Sequence, residues 1–247
     1  MEVVVIYSII GNLIGTSYNN ESLSLQKGES SSHTILMVAT IEHLLTKKPL
    51  ILCIRKWNNK YPNITHGYNF NNWIYNNEAY NSFGNLGLIR TIPYIYYYKD
   101  LNDILKHSID NTLLSHYNKE ALKGTEVLMR AIYIVKNGNS KEDLYKEIKK
   151  YYNLNFHIGD IIEKYKHEPT CQNTIPQSIV CFLESSSYED SIIKCLKLGG
   201  DIRTNCVIVS TLSSLYYKKI DLKFTRYYYN SISEDIIKLI NRFIEKC

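Results

Sequence analysis

The sequence predicts an all-α protein, and three observations support that prediction. Apolar residues recur at helical spacing, for example at positions 35, 36, 38, 39, 41, 44 and 45. Capping residues precede several such segments, among them Ser140 and Ser233. No segment shows the apolar–polar alternation of a half-buried strand. We therefore expect a single compact multi-helix bundle of roughly nine or ten helices.

The predicted helices follow one another with short polar breaks. Their expected ranges are 3–14, 34–45, 50–57, 101–114, 119–135, 141–152, 176–185, 188–198 and 233–247, with one more within 198–219, and residues 70–75 are a candidate for a further short helix. An apolar stretch at 92–98 follows Pro93, and residues 157–174 read as a loop. No internal repeat or low-complexity linker divides the chain, so residues 1–247 are expected to form one domain.

Composition and charge exclude several classes of function. The net charge of +5 is spread along the chain without a run of five basic residues, which argues against a nucleic-acid partner. The apolar run at 3–13 is too short to span a bilayer and lacks the basic start of a signal peptide. We therefore expect a cytoplasmic or nucleo-cytoplasmic protein without a membrane partner. The sequence leaves its oligomeric state open.

Two residue types are frequent without indicating a site. The six cysteines lack C-x-x-C spacing and fall mostly in apolar segments, so they are expected to be buried, reduced thiols rather than zinc ligands. The 22 tyrosines and the many asparagines suggest AT-biased coding. We therefore give no functional weight to the clusters at 71–72, 96–98 and 227–229.

Residues 198–219 (LGGDIRTNCVIVSTLSSLYYKK) form the stretch around which the chain is organised. Gly199 and Gly200 allow backbone conformations that side chains disfavour, and Asp201, Arg203 and Thr204 open a long apolar helix. Free N–H groups and the positive end of the helix dipole lie at that opening. The pattern fits either a binding site or a capped core helix.

Five short motifs occur in an order that resembles the ADP-ribosylglycohydrolase family, the all-α dinitrogenase-reductase-activating and ADP-ribosyl-hydrolase-like proteins. They are GNLIG at 11–15, SSHT at 31–34, GNLGLIRTIP at 84–93, SH at 115–116 and GGDIRT at 199–204. The family patterns are G-D-x-x-G, T-D-D-T, G-N-G-x-x-M-R-x-x-P, T-H and G-G-D-T-D-T. The resemblance covers residues from about 10 to 219 and implies the all-α fold of that family.

The resemblance also implies a chemistry. Members of the family bind two Mg²⁺ ions between the T-D-D-T and G-G-D-T-D-T motifs and hydrolyse bonds to ADP-ribose. Mg²⁺ requires hard oxygen ligands in near-octahedral geometry, and a pair of such ions orients the ribose and activates water. The implied partner is ADP-ribose or an ADP-ribosylated protein, and magnesium would be the cofactor if the site were functional.

Most of the implied metal ligands have been replaced in this chain. The positions that correspond to the family's metal-binding motifs are Ser31, Ser32, His33, Asp201, Arg203 and Thr204. Ser32 and His33 stand where two aspartates belong, and Asn12 replaces the early aspartate. Arg203 stands where the family pattern has its second late aspartate. Repulsion between a cation at this position and a Mg²⁺ ion about 4 Å away would cost roughly 8 kcal/mol at an effective dielectric near 20. We expect no cofactor, and we expect Arg203 to pair with Asp201 in place of the metal.

Candidate site residues follow from these motifs, each with a structural alternative. Asp201 and His33 are the candidate catalytic residues; Asp201 alternatively caps its helix, and His33 alternatively faces solvent. The candidate ligand-binding residues are Gly84, Asn85, Gly87, His116, Gly199, Gly200 and Arg203. Gly84, Asn85 and Gly87 form either an anion-binding nest or a turn, and His116 alternatively belongs to the core. Arg90 and Pro93 are interpreted as structural.

Three functions remain open from the sequence. The first is a catalytically impaired or inactive homologue that binds ADP-ribose without metal. The second is an active hydrolase with a rearranged, metal-independent or weakly metal-dependent site, in which His33 and Asp201 act as acid and base. The third is a protein-interaction scaffold without a ligand. Whether the chain is an enzyme is therefore undecided at this level.

Overall fold

The computed structural model describes residues 4–19, 23, 25–76 and 80–247, and those residues form helices joined by turns and loops. The helices are α1 Val4–Ser17, α2 Ser32–Thr46, α3 Leu50–Lys60, α4 Tyr68–Asn76, α5 Leu86–Ile89, α6 Tyr94–Tyr97, α7 Leu101–Leu113, α8 Lys119–Lys136, α9 Lys141–Ile148, α10 Ile158–Ile161, α11 Ile175–Leu183, α12 Tyr188–Leu198, α13 Ile202–Tyr217, α14 Leu222–Ser231 and α15 Glu234–Lys246. A 3-10 turn covers Cys171–Asn173. The described part contains only two isolated bridges of β type, so the all-α prediction is confirmed.

Helix α13 lies at the centre of the fold. It contacts α1, α8, α11 and α12, and its contact with α1 is the most extensive between any two described elements. Two glycines of α1 explain this close approach. A Cβ on Gly11 would lie 2.2 Å from the carbonyl oxygen of Cys206, and one on Gly15 would lie 2.8 Å from the Cα of Arg203. This close packing holds the beginning of α13 beside α1.

Helix boundaries follow the capping residues that the sequence offers. The Ser31 side chain accepts a hydrogen bond from the backbone N–H of His33 at the start of α2. Ser140 and Asp143 form a reciprocal capping box at the start of α9. Asp201 caps α13 by accepting from the Thr204 backbone. These caps fix where α2 and α13 begin, and both beginnings face the same cleft.

The structure corrects several predicted elements. Fifteen α-helices occur among the described residues, more than the nine or ten predicted, partly because α5, α6 and α10 are four-residue turns that no periodicity could indicate. Helix α1 continues through its glycines to Ser17 instead of ending near residue 14. Helix α14 contains the tyrosines at 227–229, and Tyr227 and Tyr228 are buried. Because the tyrosines at 227–229 were attributed to coding bias, the sequence analysis did not predict helix α14.

Core packing engages most of the described helices. One continuous cluster of buried apolar side chains includes residues from both ends of the chain, from Val5 to Phe243. Five of the six cysteines are buried, Cys247 is exposed, and all six are free thiols. The expectation of buried, reduced cysteines is therefore met at five positions. None of the described helices combines the length and the apolar character that crossing a membrane requires.

Candidate functional site

The beginnings of α2 and α13 face a cavity of about 710 Å³. This volume falls within the usual range of small-molecule sites, about 300–1,000 Å³. The remaining walls come from the segment before and within α4, from residues 80–86, and from two further loops, one with His116 and one with His167 and Pro169. The lining residues are Ser32, His33, Thr65, His66, Gly67, Tyr68, Asn69, Phe70, Tyr80, Ser82, Gly84, Asn85, Leu86, His116, His167, Pro169, Asp201 and Arg203.

Asn12 of α1 anchors the start of α2. Its Nδ2 donates to the Ser31 Oγ at 2.7 Å, and its Oδ1 accepts from the Thr34 Oγ1 at 2.7 Å and from the Ser31 backbone N–H at 3.2 Å. Asn12 is fully buried. The amide therefore pairs with hydroxyl groups where the family pattern has a metal-binding carboxylate. Because the Asn12 amide carries no charge, its hydrogen bonds to Ser31 and Thr34 need no cation to balance them.

His33 joins the two motifs that hold the metals in the family pattern. Its Nε2 lies 2.8 Å from the Thr204 Oγ1, and its Nδ1 lies 3.2 Å from the Ser31 Oγ. Thr204 in turn donates its hydroxyl proton to the Asp201 Oδ2 at 2.7 Å, because an ionised carboxylate only accepts. The Thr204 oxygen is then free to accept from a protonated Nε2. The network thus assigns the proton of His33 to Nε2.

Asp201 is held by partners from two sides. Besides Thr204, the Asn85 Nδ2 donates to its Oδ2 at 2.8 Å and also lies 2.9 Å from the Thr174 Oγ1. Hydrogen bonds therefore run without interruption from Asn12 through His33 to Thr174. The Asn85 Oδ1 is different: it is buried and has no hydrogen-bond partner among the described residues. A hydroxyl group of a ligand would satisfy this acceptor.

The network carries a single negative charge at neutral pH, on Asp201. Burial lowers the pKa of His33 to about 4, against the attraction of Asp201, so the imidazole is uncharged at neutral pH. Burial works against the ionised Asp201. The neighbouring His33 ring and the hydrogen bonds from Thr204 and Asn85 outweigh burial and hold the pKa of Asp201 below its usual value. The site consequently contains one carboxylate and a neutral ring that bridges it to α2.

Arg203 does not pair with Asp201, so the expected ion pair is wrong. Arg203 is exposed, lines the cavity, and forms no ion pair within 4.0 Å among the described residues. The reason is that the Asp201 carboxylate already accepts hydrogen bonds from Thr204 at 2.7 Å and from Asn85 at 2.8 Å. The guanidinium therefore remains available at the cavity mouth.

The glycines before α13 shape the approach to Asp201. Gly199 and Gly200 have φ values of 75° and 66°, a region that favours glycine. A Cβ on Gly200 would lie 2.1 Å from the Tyr165 ring, so that ring packs directly on the turn. The His167 Nδ1 lies 3.2 Å from the Gly200 carbonyl oxygen. Neither Gly199 nor Gly200 lines the cavity itself; they position Asp201 and Arg203, which do.

The mid-chain motif contributes to the opposite wall. Gly84 and Asn85 line the cavity, whereas Gly87 lies behind it and makes room for His116, whose ring a Cβ would approach to 2.8 Å. The His116 Nδ1 lies 2.8 Å from the Ser115 Oγ. Burial, followed by the nearby Arg90, lowers the pKa of His116 to about 3. His116 is thus a neutral wall residue of the cavity.

Arg90 and Pro93 support the fold as expected. Arg90 is fully buried, its Nε donates to the Asn111 Oδ1 at 2.6 Å, and its Nη2 donates to the Asn111 carbonyl at 2.6 Å. Its guanidinium carbon lies 5.3 Å from the Trp73 ring centroid. Pro93 precedes α6 as its N-cap residue. Both positions lie outside the set that lines the cavity.

The donor set does not fit two magnesium ions. Ser31, Ser32 and Thr204 offer neutral hydroxyls, His33 offers nitrogen, and Arg203 repels cations, which leaves one carboxylate. That carboxylate already accepts two hydrogen bonds on one oxygen. Across the residues that the structure describes, no group of three or more His, Cys, Asp or Glu side chains is placed to hold a metal ion.

Sequence reasoning missed part of the cavity. His66, Phe70 and Tyr80 form an aromatic wall, and His167 lies near the mouth. The segment 65–70 reads THGYNF, within a stretch whose tyrosines and asparagines were discounted as coding bias. An apolar ring next to a histidine in a loop is a weak signal. Only the tertiary approach of Phe70 to His116, 46 residues further along the chain, makes this segment part of a site.

These features define an all-helical protein with a polar cleft at the beginnings of two buried helices. The ADP-ribosylglycohydrolase family model matches residues 8–247, so the chain belongs to that family. In structure it is similar to an ADP-ribosylglycohydrolase-related protein complex, at 16% identity and a TM-score of 0.76, over 98% of this chain and 96% of that one. That likeness shows the fold. Among curated proteins, no sequence matches the chain.

Proposed function

We propose that this protein binds ADP-ribose, free or attached to a protein, without magnesium and without the two-metal hydrolysis of its family. One observation carries the proposal: His33 spans the two former metal motifs, with hydrogen bonds to Ser31 and Thr204. A neutral imidazole then supplies the connection that two cations supply in the family pattern. Because both ring nitrogens are engaged, His33 serves as a positioning residue in this proposal rather than as a general base.

The rest of the cavity supports a nucleotide-sugar ligand. Arg203 is an exposed cation that forms no ion pair with any described residue, and guanidinium groups form charge-assisted hydrogen bonds with phosphate oxygens. The unpartnered Asn85 Oδ1 would accept from a ribose hydroxyl. Among the described lining residues, Asp201 is the only carboxylate, so little negative charge opposes a diphosphate. A cavity of about 710 Å³ is large enough for such a ligand.

Calorimetric titration with ADP-ribose tests the proposal. We expect the same dissociation constant in chelator and in Mg²⁺, and about a ten-fold weaker one for Arg203→Ala, since one charge-assisted contact is lost. Arg226→Ala is the matched control, because Arg226 is equally exposed on α14 and does not line the cavity. Its affinity should equal that of the wild type.

Other outcomes would identify the alternatives. Binding that disappears in chelator would contradict the proposal and favour a metal-dependent site. Release of ADP-ribose from a modified peptide in chelator, abolished in Asp201→Asn, would show the rearranged hydrolase in which Asp201 and His33 are catalytic. Absence of binding under both conditions would favour the scaffold. Each result is obtained with the full chain.

We also propose that the protein works in a reducing compartment, the cytoplasm or the nucleus and cytoplasm. The sulfur atoms of Cys195 and Cys206 lie 3.5 Å apart in the core and remain unbonded. Thiols so close together would be exposed to pairing in an oxidising compartment. Mass spectrometry of alkylated protein isolated from cells checks this: both thiols should be labelled after denaturation without prior reduction.

A further inference from the structure

The cavity has an aromatic wall formed by His66, Phe70, Tyr80 and His116. Phe70 lies at its centre, with ring centroids 5.1 Å from His66 and 6.1 Å from His116, and Tyr80 lies 5.6 Å from His116. All four rings line the cavity. Phe70 and His116 are buried, so their positions are fixed by the core. Such a wall accepts a flat ring by stacking, and stacking alone does not distinguish one base from another.

His66 adds a polar atom to this wall. Its Nε2 lies 2.7 Å from the Asn58 Oδ1, and an amide oxygen only accepts, so Nε2 carries the proton. The Nδ1 is then an acceptor, and it is buried without a hydrogen-bond partner among the described residues. Burial lowers the pKa of His66 to about 4, so the ring remains neutral near pH 7. A buried acceptor without a partner favours a ligand that brings a donor.

We propose that His66 selects the nucleobase: its Nδ1 accepts a hydrogen bond from the exocyclic amino group of adenine while the ring wall stacks on the base. The inference rests on the proposed function, because it concerns the base of the same ligand. Hypoxanthine has a carbonyl oxygen in place of that amino group. An oxygen acceptor facing the Nδ1 acceptor would leave both groups without a hydrogen bond. Asn58 is a positioning residue that fixes which nitrogen accepts.

Titration with two ligands measures this selectivity. ADP-ribose and its hypoxanthine analogue, inosine diphosphate ribose, differ only in the base. We expect the wild type to bind ADP-ribose about ten- to a hundred-fold more tightly, the range that one unpaired buried group produces. Both titrations are run in chelator on the full chain.

Two variants assign the effect to Nδ1. His66→Phe keeps an aromatic ring but removes the acceptor, so the ratio of the two affinities should fall to within about three-fold of one. His157→Phe is the control, since His157 is a largely exposed histidine outside the cavity, and it should keep the wild-type ratio. Asn58→Leu removes the tautomer control and should lower the ratio while ADP-ribose still binds. Thermal unfolding verifies that each variant is folded.

The outcomes separate this inference from the proposed function. Equal affinity of the wild type for both ligands would overturn the inference and leave ADP-ribose binding intact. Tighter binding of the hypoxanthine ligand would also overturn it, because it would mean that Nδ1 carries the proton and donates. An unchanged ratio in His66→Phe would assign selectivity to another residue. If the wild type bound neither ligand, the proposed function itself would fail.

Discussion

The glycines of α1 and the polar residues at the beginnings of α2 and α13 differ in what they retain from the family pattern. At Gly11 and Gly15, glycine is kept wherever a Cβ would collide with the backbone of α13. At the beginnings of α2 and α13, by contrast, only Asp201 remains of the expected carboxylates. The steric requirement of the scaffold and the charge requirement of the site are thus separable.

Restoring the carboxylates should produce the largest effect. In the triple variant Ser32→Asp, His33→Asp, Arg203→Asp, three negative charges face Asp201 with no cation between them. We expect the free energy of unfolding to fall by about 4 kcal/mol in chelator, because buried charges are left uncompensated. Mg²⁺ should restore part of that loss, while wild-type unfolding should be the same with Mg²⁺ or chelator.

Urea unfolding monitored by circular dichroism measures these differences. The matched control is Ser32→Asn, His33→Asn, Arg203→Asn, which has side chains of similar size without charge and should not respond to Mg²⁺. If the aspartate variant were as stable as the wild type in chelator, the site would tolerate charge, and the separation of scaffold from site would be contradicted.

A substitution at Gly11, one of the retained glycines, should have the next largest effect on the free energy of unfolding. In Gly11→Ala the new Cβ would lie 2.2 Å from the Cys206 carbonyl oxygen, so one of two buried helices must shift. We expect a loss of about 3 kcal/mol in the free energy of unfolding, independent of Mg²⁺. Gly159→Ala is the control, because no atom lies within 4 Å of its Cβ position, and it should stabilise the protein by up to about 1 kcal/mol. Equal behaviour of the two variants would contradict the packing argument.

Protonation of His116 in acid should lower the free energy of unfolding by a smaller amount than these substitutions do. The pKa of His116 is lowered from 6.5 to about 3 in the folded protein, so the unfolded chain binds the proton first as the pH falls. The stabilisation is therefore complete above about pH 6.5 and is lost progressively below it, by about 2 kcal/mol at pH 5. The unfolding free energy of the wild type should fall by that much more than the value for His116→Gln between pH 7.5 and about pH 5. His157→Gln, at a largely exposed position, should follow the wild type.

Sequence reasoning predicted the scaffold better than the site. The caps Ser140 and Asp201 act locally, so a few neighbouring residues were enough to indicate them. The partner of the His33 Nε2 is not local, since Thr204 lies 171 residues further along the chain. A histidine at a helix start usually faces solvent, and only the tertiary contact between α2 and α13 buries this one. The same distance explains why Arg203 was wrongly paired with Asp201, whose oxygen Asn85 reaches from mid-chain.

The aromatic wall shows a second limit. His66 and Phe70 belong to a segment rich in tyrosine and asparagine, and composition hides a site where the same residue types recur throughout the chain. Nothing in a linear pattern indicates that the His66 Nδ1 lacks a partner, because that fact depends on which atoms other elements bring near it. The expectation that residues 1–247 form one domain stays a prediction.

The hydrogen bond between His33 and Thr204 has a consequence for the timing of motion. The Nε2 proton lies between two buried heavy atoms 2.8 Å apart, so it exchanges with water only when α2 and α13 separate. The rate at which the His33 Nε2 proton exchanges with solvent therefore measures how often the cleft between α2 and α13 opens.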